Sequence, residues 1–279
     1  MRFERLVRRL TGARRSGVES RPEWEYFPEG WRAQDPRIKG WNVESIAVTQ
    51  RAKWPEVERL ARSTSSLPLH LWAADLSRPT VAGSAVGMAY GYVLALAARR
   101  KDRISVLDWG GGIGHYRLIS AALLPGVEID YHHKDVPVLC KLARELHASG
   151  TFYEQDDDAF ARDYDLVMAN GSLEYSEDWK GVAGRLARST RYYLYVGRLP
   201  VVPHAPSFTA VQRPARHGYD TEYVSWVLNE SDFVHHVEQL GLRLLRTILV
   251  GEGPRIHGAP EPCEFWSFLF TCAGDADGR

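Results

Sequence analysis

Between residues 104 and 196, short apolar runs alternate with segments whose apolar residues recur every three or four positions. The runs Ile104–Asp108, Val127–His132, Thr151–Glu154, Tyr164–Ala169 and Arg191–Val196 have strand length. Between them, Tyr116–Leu124, Val136–Ala148 and Trp179–Ala187 carry one apolar face each, as in Val136, Leu139, Cys140, Ala143 and Leu146. Strand and helix in strict alternation predict a parallel sheet covered on both faces. A further helix is predicted over Glu230–Leu240, capped by Asn229 or Ser231 and stopped by Gly241. Leu242–Val250 and Glu264–Thr271 then read as strands joined by a Gly- and Pro-rich loop with no helix, hence an antiparallel pair. The pattern therefore predicts an α/β fold with a doubly wound, mostly parallel seven-stranded sheet and one antiparallel strand.

The first 79 residues follow another rule. Residues 1 to 21 crowd seven arginines beside Phe3, Leu6, Val7 and Leu10, the one-sided spacing of a basic amphipathic helix or arm. Such a helix can make weak contact with an anionic membrane or a protein partner. Residues 22 to 79 form an aromatic-rich cap. Trp24, Tyr26, Phe27, Trp31 and Trp41 are interrupted by Pro and Gly, which predicts an irregular lid, and a helix is expected to begin near Trp54. A second helix is expected over Thr80–Arg100, opening the domain of residues 80 to 279.

Charge narrows the partners. With 35 basic and 35 acidic residues the net charge is +0, so no general nucleic-acid binding is expected. Three cysteines without metal-ligand spacing predict neither a disulfide framework nor a zinc site. Absence of a long apolar run or a secretion signal leads to a cytoplasmic expectation.

The chemistry-bearing feature is the turn after the first strand, Asp108-Trp109-Gly110-Gly111-Gly112-Ile113-Gly114. Glycines there let backbone approach a ligand and adopt positive φ. A dinucleotide loop needs a third glycine where His115 or Arg117 stands, and no Gly-Lys-Ser/Thr follows as a phosphate loop requires. A carboxylate closing the second strand would accept hydrogen bonds from ribose hydroxyls; Asp135 is preferred to Asp130, which sits inside the strand run. Asp135 also suits a helix N-terminus ahead of Val136-Pro137. Asp156, Asp157 and Asp158 follow the third strand, either as adenine partners or as a solvated loop. Asn170, Gly171 and Ser172 follow the fourth and face the same cleft, although Asn-Gly is also ordinary turn chemistry.

These motifs resemble class I S-adenosylmethionine (SAM)-dependent methyltransferases over roughly residues 80 to 272. Gly40-Trp41, Gln50-Arg51-Ala52-Lys53-Trp54, Leu107 to Gly112, Gly171 to Tyr175 and Phe268-Leu269-Phe270 further resemble a bacterial methyltransferase family associated with surface-polysaccharide biosynthesis. The resemblance implies SAM as cofactor, held by Asp108, Trp109, Gly110, Gly112, Gly114, Asp135, Asp156, Asp157, Asn170, Gly171 and Ser172. It implies methyl transfer to an oxygen or nitrogen of a small molecule or saccharide precursor. Candidates for catalysis are His115 and Tyr116 after the loop, Glu174 and Tyr175 across the cleft, and His217 beyond the fifth strand. Two other readings compete: a nicotinamide-dependent oxidoreductase, and a non-catalytic scaffold of the same fold.

Overall fold

The computed structural model describes residues 21–67, 71 and 75–272. Of the expected basic helix of residues 1 to 21, all but Arg21 lies outside the described residues. Seven strands form the central sheet: β2 (Arg103–Trp109), β3 (Glu128–Lys134), β4 (Thr151–Tyr153), β5 (Tyr164–Asn170), β6 (Thr190–Val202), β9 (Leu242–Glu252) and β10 (Glu264–Cys272). Their order is β4-β3-β2-β5-β6-β10-β9. The five from β4 to β6 pair in parallel. β10 runs antiparallel to both β6 and β9, so it is the single reversed strand of this set, as the helix-free connection predicts.

Strand parity divides the core. Leu107, Val167, Leu194 and Val196 face one side, where α6 (Trp179–Arg188) and α7 (Glu230–Gln239) bury Trp179, Leu186, Phe233 and Val237. Val106, Leu166, Met168 and Tyr195 face the other, against Val93 and Leu94 of α2 (Val81–Ala97) and Tyr116 and Ile119 of α3 (His115–Leu123). All seven residues of β5 are buried, which is why it reads as an unbroken apolar run rather than an alternation.

Four sequence expectations need correction. The first helix, α1, spans Glu44–Ala61 and starts well before Trp54, passing through Pro55. Ile46, Ala47, Trp54, Val57 and Leu60 lie buried along it, and this packing outweighs the hydrogen bond that Pro55 cannot make. The aromatic stretch is less irregular than expected, because Trp24–Tyr26 forms strand β1. Fifth-strand pairing continues past Val196 to Val202. The segment after it holds two unforeseen strands, β7 (Phe208–Gln212) and β8 (Tyr223–Asn229).

These strands build an annexe on the main sheet. β8 pairs in parallel with the far end of β6 through Val201 and Val202. β7 pairs antiparallel with β8, and β1 antiparallel with β7. The annexe and α1 stand over the C-terminal ends of the parallel strands. α1 lies against α3 and α4 (Pro137–Leu146), sharing a core with Ile113, Leu139, Leu142, Tyr219 and Tyr223. Of the two cap residues expected for α7, Asn229 serves: its side chain accepts the Asp232 N–H at 3.1 Å. No helix among the described residues is long and apolar enough to cross a membrane.

Candidate functional site

The sheet order reverses between β2 and β5, since β3 lies to one side of β2 and β5 to the other. In open α/β sheets this crevice at the strand ends takes the ligand. The loops after β2 and β5 meet there. Gly110, Gly112 and Gly114 have φ of 74°, 63° and 75°, a conformation that costs a residue with a Cβ. The Gly110 N–H donates to Lys134 O at 2.8 Å, and the Ser172 hydroxyl donates to Trp109 O at 2.8 Å. A Cβ on Gly110 would collide with the Ser172 side chain, so the close approach of the two loops also requires glycine.

Two carboxylates flank this turn. Asp108 is buried and accepts the Tyr131 hydroxyl at 2.6 Å. Burial pushes it up to about 7, with the Asp135 charge adding and the Tyr131 hydrogen bond opposing. Asp135 accepts the Gly112 N–H and the Val136 N–H, each at 2.6 Å, and burial lifts it to about 6 against those two bonds. Asp135 therefore holds the glycine turn, but it does not cap α4: the cap residue is Val136, with no side-chain cap bond, and Pro137 opens the helix. Asp130 instead sits among Arg103, His132 and Arg162.

The acidic run after β4 is a short helix, α5 (Asp156–Ala159), rather than a loop. Asp156 accepts the Trp109 indole N–H at 2.8 Å and pairs with Lys134 at 2.7 Å, which places it beside the glycine turn. Asp157 is not brought to the site: its carboxyl is 92% exposed and pairs with Arg185. Across the crevice, Asn170 Nδ2 donates to the Tyr116 hydroxyl at 2.5 Å, while Asn170 Oδ1 is buried without a hydrogen-bond partner. Gly171 has φ +69°, and the ring of buried His115 packs against Tyr116.

A cavity of about 410 Å³ adjoins this crevice. Glu174, Tyr175 and His217 line it, while His115 and Tyr116 do not. Its apolar wall includes Trp24, Val86, Val250 and Phe265. Glu174 is 3% exposed and its Oε2 has no hydrogen-bond partner. Burial raises it to about 7, against the opposing charge of Arg198. Tyr175 donates to Gln212 Oε1 at 3.1 Å, and burial holds its phenol well above the ordinary range, so it stays protonated. His217 lies 3.3 Å from Glu23.

Sequence reasoning passed over Arg198 and Gln212, which also line the cavity. Arg198 has φ +54°, one of two non-glycine residues in that region among those described. It lies where β10 shifts register against β6, between Trp266 and Phe268. The signal available was Gly197, a lone glycine inside a Tyr-rich strand, which marks a bulge. Gln212 could not have been found that way, because its strand reaches the cavity only through pairing with β8 and β1.

No family model matches the chain, and no curated protein matches it. Solved structures of similar outline include methyltransferases. Magnesium protoporphyrin IX methyltransferase from Synechocystis PCC 6803, with bound SAM, is 15% identical with a TM-score of 0.46, covering 84% of this chain and 100% of that one. The 1,6-didemethyltoxoflavin-N1-methyltransferase of Burkholderia thailandensis is 13% identical with a TM-score of 0.47, covering 89% and 99%. An O-methyltransferase family protein from the same organism is 17% identical with a TM-score of 0.44, covering 85% and 75%. At these scores the functional reading rests on the site's own geometry. The mostly parallel sheet with its one reversed central strand is a class I methyltransferase-like fold.

Proposed function

We propose that the chain is a SAM-dependent methyltransferase acting on an oxygen or nitrogen of a small molecule. The observation that carries this is the Asp135 carboxylate bonded to the Gly112 N–H, on a left-handed glycine turn at the sheet's switch point. The residues present fit such a cofactor. The glycine turn offers backbone at close range, Asp135 stands at the end of β3 where ribose hydroxyls would lie, and Asn170 Oδ1 is a buried acceptor still lacking a donor. Asp108 and Trp109 close the base of the turn, and Asp156 edges it.

When bound, SAM supplies a methyl group on a sulfonium, open to in-line displacement. The protein's part is to orient the acceptor, exclude water and take a proton, and orientation alone can supply several kcal/mol. Glu174 is the residue for the proton: it is buried, lines the cavity, has a free oxygen and ionises near neutral pH. Arg198 biases it toward the ionised form. Trp41, stacked on Tyr223 at 4.6 Å, meets Tyr175 edge-on at 5.0 Å and so backs this lining residue. The resemblance to the polysaccharide-associated family favours a saccharide precursor as acceptor.

Calorimetric titration with S-adenosylhomocysteine and SAM, and with NAD as control, tests the proposal. Micromolar binding of the first two without the third is the expected result. A folded sample that binds neither would overturn it.

A further inference from the structure

The apolar face of α1 contains one polar member. Gln50 is 5% exposed and lies in line with Ile46, Trp54 and Val57. The core that this face of α1 joins includes Ile113 of the glycine turn and Leu139 and Leu142 of α4. Gln50 Nε2 donates to the Tyr219 hydroxyl at 3.4 Å, a long bond. Its Oε1 is buried and has no hydrogen-bond partner. That oxygen stands 3.5 Å from where a Cβ on Gly112 would be, the nearest heavy atom to that point. A leucine would fill similar volume without stranding a polar atom, so an amide here is costly unless something binds it.

We propose that the Gln50 amide binds the α-amino-acid end of the cofactor, which makes α1 part of the cofactor site rather than only a cover. The inference rests on the SAM reading above. Three features point to a zwitterionic amino-acid group. The unpaired end of the amide overlooks Gly112, whose own N–H is taken by Asp135. Asp108, the carboxylate at the root of the same turn, faces the Gly111 position, where a Cβ would collide with it. The Tyr219 hydroxyl can donate or accept, so either end of the Gln50 amide can be turned to the loop. With Oε1 inward it accepts from an ammonium; with Nε2 inward it donates to a carboxylate. Gln50 belongs to the Gln50-Arg51-Ala52-Lys53-Trp54 motif, and neither the fold nor the methyl-transfer step explains a glutamine there.

The test compares two probes by calorimetry. S-adenosylhomocysteine carries the amino-acid end; 5′-methylthioadenosine keeps the nucleoside and thioether and lacks it. Gln50→Leu is expected to bind S-adenosylhomocysteine on the order of tenfold more weakly, the loss of one hydrogen bond to a charged group. Its affinity for 5′-methylthioadenosine should stay within about twofold of wild type. The unliganded variant should melt no lower than wild type, because an unpaired buried oxygen has gone. Equal affinities of variant and wild type for both probes would overturn the proposal, as would an equal loss for both. If Gln50→Leu does not fold, Gln50→Glu replaces it: the ratio of the two affinities should shift, up for an ammonium contact and down for a carboxylate, and an unshifted ratio overturns the inference. Wild-type protein that binds neither probe removes the cofactor reading and this inference with it. Wild type that binds both, with an unchanged variant, removes Gln50 alone.

Discussion

The Gly112 backbone N–H donates to the Asp135 carboxylate at 2.6 Å, tying the turn after β2 to the end of β3 across 23 residues of sequence. The same carboxylate takes the Val136 N–H, so one side chain fixes both the glycine turn and the backbone just ahead of α4. Replacing it strands two part-buried donors. Asp135→Ala is expected to weaken S-adenosylhomocysteine binding by about 1 to 3 kcal/mol, the usual cost of an orphaned buried polar group. Calorimetry reads this directly, and unchanged affinity would remove Asp135 from the site.

The glycines of the turn differ in what a methyl group would meet. At Gly112 only the left-handed backbone opposes substitution, since the nearest atom is Gln50 Oε1 at 3.5 Å. At Gly110 the Ser172 side chain occupies the space as well. Gly112→Ala should cost about 1 to 2 kcal/mol in urea unfolding, the strain of that region alone. Gly110→Ala should cost more. Gly40, at φ +69° with nothing near its Cβ position, supplies the reference for strain without collision.

The proton-accepting role proposed for Glu174 predicts a pH signature. Burial lifts its carboxyl from an ordinary value of 4.5 to about 7. Methyl transfer should therefore rise with pH through about 7, and Glu174→Gln should lose the rate by a factor of about 10² to 10⁴ together with that limb. Stability runs the other way. A carboxyl raised in the folded state contributes stability that is full below its ordinary value, 4.5 for Glu174, and lost as pH climbs through the folded value. Asp108 and Asp135 are raised for the same reason and act in the same direction. Burial lowers His132, His133 and His147, which act in the opposite direction, so the readout is the difference between variant and wild type: from pH 5 to pH 8 the melting temperature of Glu174→Gln should fall less, or rise more, than that of wild type.

Arg198 offers a separable test of strain and function. Its φ of +54° suits glycine better than arginine, and its N–H donates to Ser267 Oγ at 3.2 Å, a bond that a backbone change of side chain leaves in place. Arg198→Gly relieves strain of about 1 to 3 kcal/mol, less the entropy cost of about 0.5 to 1 kcal/mol that glycine brings. Its melting temperature should match or exceed wild type. Turnover should fall, and the pH limb assigned to Glu174 should move upward, because the Arg198 charge favours the ionised carboxyl. A variant with lower stability and an unshifted pH profile would assign Arg198 to structure alone.

Legibility differed by how local each feature is. β2 and β5 are buried on both faces and read directly as short apolar runs. The glycine turn, Asp108 and Asp135 were legible because turn chemistry and strand ends are written in neighbouring residues. α1 was misread at its start, since Pro55 looks like a helix opening while the packing of Ile46 and Ala47 was invisible. β7 and β8 were missed because five- and seven-residue strands in a Pro- and Gly-punctuated segment carry little periodic signal. Asp157 and Asp156 are adjacent in sequence, yet only Asp156 turns toward Trp109 and Lys134, a choice made by the first turn of α5.

Composition, periodicity and turn chemistry alone determined the α/β class, the seven strands of the central sheet, its reversed strand and the backbone of the candidate cofactor turn. Each depends on residues a few positions apart, where sterics and burial act through local sequence. Tertiary structure alone decided the cavity. β1 pairs with β7 far along the chain, α1 lies over Gly112, and Glu174 comes to face Arg198 and the apolar wall of α2, β9 and β10. Those meetings arise from long-range packing, whose energy is spread over many contacts and leaves no pattern in any one stretch of sequence.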